Sequence, residues 1–441
     1  MKKTGTICFA LCCFLLCAVL SVGTAVFGPA GAGANERLNP LPKLMVKGEL
    51  NRDWLSGFAA WFGDHFWLRQ ECISLRNRLV TLTGFSPVED VLAGRDGWLY
   101  YAPTLPDYTG ADPMTDGELE ACAHNLSLMG EYCRDRGIGF LFVPVPNKNT
   151  LYPEHMRGYP AGGTHDGEKL LNLPALGQTP HADLFSAFRE QEETLYYAHD
   201  SHWTPKGAAL AADTVNAALG RESAYYSGDF SARARHDGDL YGMLYPAAED
   251  PEQGPVYGGT FRYEREGTDT RPDSITINTR GEGSGALLAY RDSFGNDLYP
   301  YLADSFASAR FSRSTAYDLT LAESLEADVL LIELVERNLR YLLTYTPKMP
   351  APLREQAVPE VTLPAADLRV GRPGELAGYR LVSGSLETGA DRVYLVCAGG
   401  CYEAFLTEGG FAAWLPEGET PERVLTLRGE ALAAAPVNLI P

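Results

Sequence analysis

Residues 115–145 read TDGELEACAHNLSLMGEYCRDRGIGFLFVPV, and this stretch decides the fold class of the chain. Thr115, followed three residues later by Glu118, forms a capping box and predicts a helix that begins there. Gly137 is typical of a helix end, because glycine adopts left-handed backbone conformations without strain. The apolar run from Ile138 to Val145 predicts a strand buried on both faces. A helix followed by such a strand is one unit of an α/β sheet.

The same alternation recurs three more times. The predicted elements are a strand at 195–198 with a helix from 204 to 220, a strand at 286–290 with a Leu- and Tyr-rich helix after it, and a strand at 329–334 between helices at 319–326 and 338–343. We therefore expect an α/β fold with a mainly parallel sheet flanked by helices and functional loops at the carboxyl ends of the strands. Residues 221–283 interrupt this pattern and are expected to form loops or an antiparallel flap over the site.

The composition and the spacing of the elements predict four parts. They are a leader at 1–34, an amphipathic helical segment packed on the main body at 35–90, an α/β catalytic domain at 91–346, and, after a proline-rich linker, a small β-sandwich-like domain at 347–441. With 37 Lys and Arg against 57 Asp and Glu, the net charge is −20. Nucleic-acid binding is not expected, because a phosphate backbone needs a basic surface.

The N-terminus carries a membrane signal. Residues 7–27 form an apolar run that is long enough to span a bilayer, and Lys2 and Lys3 precede it. Lysines before the run keep that end in the cytoplasm, so the rest of the chain is expected outside the cell. We expect an uncleaved signal anchor; a signal peptide cleaved after the small residues 32–34 is the alternative.

The exported part contains five cysteines, and we expect neither a disulfide framework nor a zinc site from them. Cys122 and Cys133 fall eleven residues apart on one predicted helix, which is too far for a disulfide. Cys397 and Cys401 are close enough to close a short hairpin, and a disulfide and two free thiols are equal alternatives there.

Three residues suit nucleophilic catalysis. Asp200 and His202 lie two residues apart before a predicted helix, so in extended chain their side chains point to the same side. A carboxylate beside an imidazole fixes the tautomer of a general base for a serine hydroxyl. Ser293 follows a buried strand and precedes a helix, whose N-terminal N–H groups face any anion formed there. This pattern predicts Ser293 as nucleophile, His202 as base and Asp200 as orienting carboxylate.

Other interpretations of the same residues remain open. Asp200 can cap a turn and Ser293 can be an ordinary N-cap of its helix. A metal site of His199, Asp200 and His202 is a further alternative, although no other His or Glu completes a familiar ligand pattern. We expect no metal and no cofactor.

Several motifs in fixed order resemble the alginate O-acetylation proteins of the AlgX and AlgJ type and their "DHHW" relatives. The matching stretches are GRDGWLY at 94–100, VPVPNK at 143–148, LYPE at 151–154, YAHDSHWTPKG at 197–207 and DSF at 292–294. These families resemble SGNH hydrolases with circularly rearranged motifs, in which Asp-x-His precedes the nucleophilic Ser. The order is the same here, with Ser201 in place of the second residue of "DHHW".

The resemblance implies O-acetyl transfer to an exported polysaccharide through an acetyl-serine intermediate. It also implies a multi-span membrane acyltransferase of the MBOAT type as the source of the acetyl group. A carbohydrate acetyl-esterase that uses the same triad is an alternative, and so is a non-catalytic glycan-binding scaffold. The β-rich C-terminal domain is a candidate for glycan binding.

Further side chains are weaker candidates for the site. Asn338 and Gly295 are considered as donors to an oxyanion. The possible substrate contacts are Trp203, which would stack on a sugar unless it belongs to the core, Lys148 and Asn147, which would otherwise lie in a solvated loop, and Arg313, which would pair with a substrate carboxylate.

Overall fold

The computed structural model describes residues 2–31, 36–372, 374–385 and 389–440, without the side chains of residues 2–4, 8 and 12. The small residues at 32–34, where cleavage of the leader is the alternative to an anchor, lie outside this part. The helices are α1 Lys2–Phe27, α2 Trp54–His65, α3 Arg69–Thr81, α4 Leu105–Thr109, α5 Asp116–Arg134, α6 Lys148–Leu151, α7 Asp166–Leu171, α8 Leu184–Arg189, α9 Pro205–Ala218, α10 Asp239–Leu244, α11 Gly295–Ser305, α12 Leu321–Ser324 and α13 Tyr341–Thr344.

The strands follow the same chain order. They are β1 Met45–Val46, β2 Glu49–Leu50, β3 Val91–Ala93, β4 Leu99–Tyr101, β5 Gly139–Val145, β6 Arg233–Arg235, β7 Gln253–Pro255, β8 Tyr263–Arg265, β9 Thr276–Gly281, β10 Ala286–Tyr290, β11 Ser308–Ser312, β12 Val329–Val335, β13 Leu353–Arg354, β14 Ala366–Val370, β15 Tyr379–Ser385, β16 Arg392–Cys397, β17 Gly400–Glu403, β18 Phe405–Thr407, β19 Gly410–Pro416, β20 Arg423–Arg428 and β21 Ala431–Ile440.

The central sheet has six strands in the order β5-β12-β10-β11-β9-β8. The first four are parallel, and β9 and β8 add an antiparallel edge. Helix α5 packs on one face through Leu126 and Met129, and α9 and α11 cover the other through Val215 and Leu298. The mainly parallel α/β sheet expected from the sequence is confirmed.

The helix starts predicted from capping residues in the sequence are present in the structure. Thr115 and Glu118 make the reciprocal bonds of a capping box at α5. Thr204 caps α9, with Pro205 at its first position. The strand predicted at 195–198 is wrong, because this stretch doubles back through a turn and pairs with itself in a single antiparallel bridge between Tyr196 and Trp203.

The segment after the leader differs from the expected apolar packing. Helix α2 buries none of its residues, and α3 buries only Ser74 and Asn77. Helix α3 contacts the main body through polar groups: the Asn77 amide donates to the Leu244 carbonyl at 2.8 Å, and Ala247 N–H donates to Ser74 Oγ at 3.0 Å. The α3 face turned to the protein is therefore polar.

The C-terminal part is a curled sheet in the strand order β13-β17-β16-β20-β21-β14-β15-β19-β18. The β-rich domain is thus one continuous sheet of nine strands. The proline-rich linker is not free, because Met349 and Ala351 are buried in a core that also contains α5. Cys397 and Cys401 are buried free thiols in the β16–β17 hairpin, and the structure shows no disulfide between them.

Candidate active site

Ser293 lies in the tight connection between β10 and α11. Its neighbour Asp292 anchors this connection by accepting hydrogen bonds from Phe294 N–H at 2.9 Å and Val335 N–H at 2.8 Å. The Asp292 N–H in turn donates to Glu333 at 2.9 Å. Because Glu333 and Val335 belong to β12, the neighbouring strand fixes Ser293 at the carboxyl edge of the sheet.

A hydrogen-bonded chain joins Ser293, His202 and Asp200. The distance between Ser293 Oγ and His202 Nε2 is 2.8 Å, and the distance between His202 Nδ1 and Asp200 Oδ1 is 2.7 Å. Asp200 accepts a hydrogen bond from Nδ1–H, so Nε2 carries no proton in the neutral ring and can accept a hydrogen bond from the Ser293 hydroxyl. A serine in this arrangement can act as a nucleophile. The structure thus brings together the three residues that the sequence nominated.

Asp200 is held by more than His202. Its Oδ2 accepts a hydrogen bond from His236 Nε2 at 2.7 Å and another from Asp239 N–H at 3.1 Å. The His236 ring stacks on Tyr197, with 3.6 Å between ring centroids. The carboxylate therefore lies between two imidazoles and cannot rotate without losing several hydrogen bonds.

These contacts shift the pKa of the groups involved. Burial favours the neutral acid, but the hydrogen bonds from His202 and His236 outweigh it and hold the pKa of Asp200 well below its usual range. Burial of the ring lowers the pKa of His202, yet the hydrogen bond and charge of Asp200 raise it overall above 6.5. Near neutral pH, Asp200 is therefore ionised and can stabilise a protonated His202.

Three predicted substrate contacts are buried instead. Trp203 has no exposed surface and packs on Phe188 and Phe294, so it belongs to the core and cannot stack on a sugar. Lys148 is also buried, because its ammonium donates to the carbonyls of Leu99, Ala198 and Asp200 at 2.6–2.9 Å. Lys148 therefore holds the loop that carries Asp200 through main-chain hydrogen bonds and does not face the substrate.

Asn147 lies neither in a solvated loop nor at a surface that substrate can reach. It is fully buried where β5 ends, and its N–H donates to Glu336 at 3.1 Å. Neither atom of its side-chain amide has a hydrogen-bond partner in the described part of the chain. Arg313 lies at the end of β11, where it donates to the Asp273 carbonyl at 3.2 Å, and no contact links it to the described triad residues.

The two oxyanion candidates flank Ser293. Gly295 is the first residue of α11, where N–H groups have no acceptor within the helix. Asn338 lies just beyond β12, and its amide nitrogen is 3.3 Å from Asp292 Oδ2. One amide hydrogen of Asn338 is therefore directed at a carboxylate.

The metal alternative does not assemble as the sequence suggested. His199 turns away from Asp200 and His202 to meet Asp250, with 2.6 Å between Nδ1 and Oδ1. The two groups of three ligand-type side chains found in the described residues are His199 with Asp250 and Glu252, and Asp200 with His202 and Asp239. Backbone N–H groups already occupy carboxylate oxygens in both groups, and such bonds suffice to explain the clustering.

The sequence did not single out His236, Asp239 or Arg337. His236 and Asp239 lie in the excursion at 221–283, which carried no recognisable motif. The Arg337 guanidinium lies 5.3 Å from the ring centroids of Phe294 and Tyr101, which places a cation next to the Ser293 connection. The only signal that favoured His236 was its place in a segment expected to cover the site.

Comparisons with known proteins show what the chain is similar to. Residues 91–274 match the family model described as "SGNH hydrolase-like domain, acetyltransferase AlgX". The chain is 26% identical over 257 residues to a protein of Pseudomonas syringae pv. tomato named "Probable alginate O-acetylase AlgJ", covering 48% of this chain and 59% of that protein. The protein of the same name from Pseudomonas aeruginosa is 24% identical over 254 residues, covering 54% and 60% respectively.

The chain thus spans about 60% of the length of these curated relatives. Among solved structures, a DHHW family protein from Eubacterium siraeum aligns with a TM-score of 0.45 and 15% identity, over 59% of this chain and 97% of that one. The resemblance inferred from the sequence motifs is confirmed: residues 91–274 are similar to the SGNH hydrolase-like domain of acetyltransferase AlgX, and the chain is similar to proteins named as probable alginate O-acetylases AlgJ.

Proposed function

We propose that this chain is an extracellular, membrane-anchored O-acetyltransferase that modifies an exported polysaccharide through an acetyl-Ser293 intermediate. The observation that carries the proposal is the unbroken chain of hydrogen bonds from Ser293 through His202 to Asp200. The similarity to proteins named as alginate O-acetylases supports acetyl as the group and a polysaccharide as the acceptor.

The mechanism follows from the geometry. His202 takes the proton from Ser293 as Oγ attacks the carbonyl carbon of an acetyl donor, and the leaving group departs with a proton returned by His202. A sugar hydroxyl then gives its proton to His202 and attacks the acetyl-serine; His202 returns that proton to Oγ as the bond to the acetyl group breaks, which releases the acetylated sugar and free Ser293. The N–H of Gly295 and the Asn338 amide are our candidates for stabilising the two oxyanions.

The localisation belongs to the same proposal. Residues 5–27 within α1 form an apolar helix with a mean hydropathy of 2.5, long enough to cross a membrane. We infer that α1 is an uncleaved anchor and that residues 36–440 lie outside the cell. A multi-span membrane acyltransferase of the MBOAT type would then deliver acetyl groups to Ser293 across the membrane.

The first test is replacement of the nucleophile. The full chain is incubated with p-nitrophenyl acetate and an oligosaccharide acceptor, and the protein and the sugar are both analysed by mass spectrometry. Wild type is expected to carry one acetyl group on Ser293 and to yield acetylated sugar. Ser293→Ala should lose both products, with a rate loss of about 10⁴-fold or more. Ser227→Ala, which removes an exposed serine hydroxyl, is the matched control and should match wild type.

The same experiment separates the alternatives. An acetyl-esterase releases acetate at the same rate whether or not the oligosaccharide is present, whereas a transferase moves acetyl to the sugar at the expense of free acetate. A glycan-binding scaffold acquires no acetyl group on Ser293. Turnover retained by Ser293→Ala would contradict the proposed mechanism.

A further inference from the structure

Helix α3 has its amphipathic character inverted. The face turned to the protein carries Ser74, Asn77 and Thr81, which bond to Ala247, Leu244 and Tyr245. The opposite face carries leucines at helical spacing: Leu75, Leu79 and Leu82, which are 62%, 59% and 84% exposed. In an ordinary surface helix, the polar side faces water and the apolar side faces the core. An apolar stripe that faces outward therefore needs an external partner.

The surroundings of α3 indicate what that partner is. Three of the six tryptophans of the chain, Trp54, Trp61 and Trp67, lie in the fourteen residues of the α2–α3 corner. Tryptophan is enriched at membrane–water interfaces, where its ring sits at the level of the headgroups. This corner also contacts the end of the apolar helix α1: the Trp67 ring stacks on Phe27 at 4.8 Å, and Trp67 N–H donates to Thr24 Oγ1 at 2.8 Å.

The charge of the segment fits the same partner. Residues 36–85 contain seven Lys and Arg against five Asp and Glu, whereas the whole chain contains 37 against 57. A slightly basic region of an acidic protein thus adjoins the apolar helix α1. Anionic lipid headgroups attract such a segment and repel the rest of the chain.

We propose that α2 and α3 form a platform that lies on the outer surface of the membrane crossed by α1, with the leucine stripe of α3 and exposed Phe85 inserted among the lipids. The platform is tied to α10 and the residues after it through Asn77 and Ser74, and α10 begins at Asp239 beside the Asp200 carboxylate. Docking of α3 therefore sets the height and orientation of the candidate active site above the membrane. The proposal uses the anchoring role proposed for α1, and the test below separates the two.

The experiment uses the full chain in vesicles of phosphatidylglycerol and phosphatidylcholine, the latter with brominated acyl chains that quench nearby fluorophores. Cys72 is exposed on α3 next to the leucine stripe and is labelled with a small fluorophore after replacement of the four cysteines of α1 by serine. A label at residue 227, introduced as Ser227→Cys with Cys72→Ser, reports the surface of the catalytic domain. A chain that keeps Cys17 alone in α1 reports insertion of the anchor.

The label at residue 72 should be quenched about twofold or more relative to the label at residue 227, because interfacial helices bury their apolar face near the acyl chains. Leu79→Glu should reduce quenching at residue 72 to the level at residue 227, whereas Ser227→Glu should leave it unchanged. Equal quenching at 72 and 227 overturns the proposal.

Three further outcomes distinguish the alternatives. Quenching at Cys17 without quenching at Cys72 means that the anchor inserts and the platform does not dock. If Leu79→Cys chains cross-link to one another and residue 72 is not quenched, the stripe is an interface between two copies, which also overturns the proposal. Quenching at Cys72 without quenching at Cys17 supports docking and contradicts only the anchor.

Discussion

At the scale of single residues, the site depends on one carboxylate. Asp200 accepts a hydrogen bond from His202 with one carboxylate oxygen and from His236 with the other, at 2.7 Å in both cases. Because the carboxylate stays ionised, it both fixes the tautomer of His202 and favours its protonated form. The basicity of His202 is therefore set by Asp200, and changes around Asp200 should appear in the pH dependence of the reaction.

Asp200→Asn should remove the charge and leave the shape. We expect the second-order rate constant kcat/KM to fall by about 10⁴-fold, as it does when the equivalent carboxylate is lost in serine hydrolases. Burial, which lowers the pKa of His202, would then act unopposed by a charge at residue 200. In wild type, activity appears as the pH rises through the raised pKa of His202 and the ring becomes neutral. In the variant, activity should therefore appear at lower pH. A rate–pH profile measured with p-nitrophenyl acetate checks the direction, and an unshifted acidic limb contradicts it.

His236→Phe should shift the profile in the opposite direction. Phenylalanine can keep the stacking on Tyr197 but cannot donate to Asp200, so the carboxylate becomes a stronger acceptor for His202 and raises the pKa of that ring further. We expect the acidic limb of the profile at higher pH. We also expect kcat to fall by about tenfold to hundredfold, which corresponds to the loss of one charge-assisted hydrogen bond. His155→Phe, which replaces a ring stacked on Trp98 outside the site, is the control and should leave both quantities unchanged.

At the scale of elements, buried polar side chains join loops that have little regular structure. Lys148, on the short helix α6, ties the β4 strand to the Asp200 loop by donating to three carbonyls. Burial lowers the pKa of this lysine to about 7, so its ammonium form depends on those carbonyls and on the nearby charge of Asp200. The stability of the loop and the geometry of the triad are thus linked through one side chain.

Lys148→Met should be strongly destabilising. It removes the ammonium donor from the buried carbonyls of Leu99 and Asp200, whereas the Ala198 carbonyl still accepts from Leu99 N–H. Each loss costs about 1–3 kcal/mol, so the free energy of unfolding should fall by roughly 2 kcal/mol or more. Urea denaturation followed by tryptophan fluorescence measures this. Lys206→Met breaks an ion pair with Glu193 whose partners are 25% and 45% exposed, and it should cost less than about 1 kcal/mol. Similar losses for the two variants would contradict this account of Lys148.

At the scale of the whole molecule, the α/β domain and the C-terminal sheet share one core. Leu126 and Leu342 belong to the same buried cluster as Leu395 and Phe411 of the curled sheet. Asn125 on α5 strengthens this interface by donating to the carbonyls of Leu342 and Leu406 and by accepting from Leu406 N–H. We therefore expect the two parts to unfold together.

Asn125→Leu should destabilise both parts at once. The substitution leaves three buried main-chain groups unsatisfied, which predicts a loss of about 3 kcal/mol or more in the free energy of unfolding and one cooperative transition at lower urea concentration. Ser127→Ala, two residues further along α5, is the control and should stay within about 0.5 kcal/mol of wild type. Separate transitions for the two parts in calorimetry would show that the shared core does not couple them.

Some of this architecture could be predicted because it depends on neighbours in the sequence. The capping box at Thr115, the proline at the start of α9 and the apolar runs of β5, β10 and β12 are short-range signals, and they act wherever the segment lies. The strand predicted at 195–198 failed because apolar residues alone do not distinguish a strand from a buried turn. The Asp-x-His spacing and the position of the serine between a strand and a helix are also local patterns, and they predicted Asp200, His202 and Ser293 as catalytic candidates.

Local patterns in the sequence predicted the α/β units, the apolar N-terminal helix and the three candidate catalytic residues. Only the tertiary structure decided that Ser293 and His202, ninety-one positions apart, meet at 2.8 Å, that His236 joins Asp200, and that Trp203 and Lys148 are buried. It also decided that α3 turns its leucines outward. The physical reason is that contacts between distant residues depend on how the elements pack, and packing is not encoded in any one stretch of the chain.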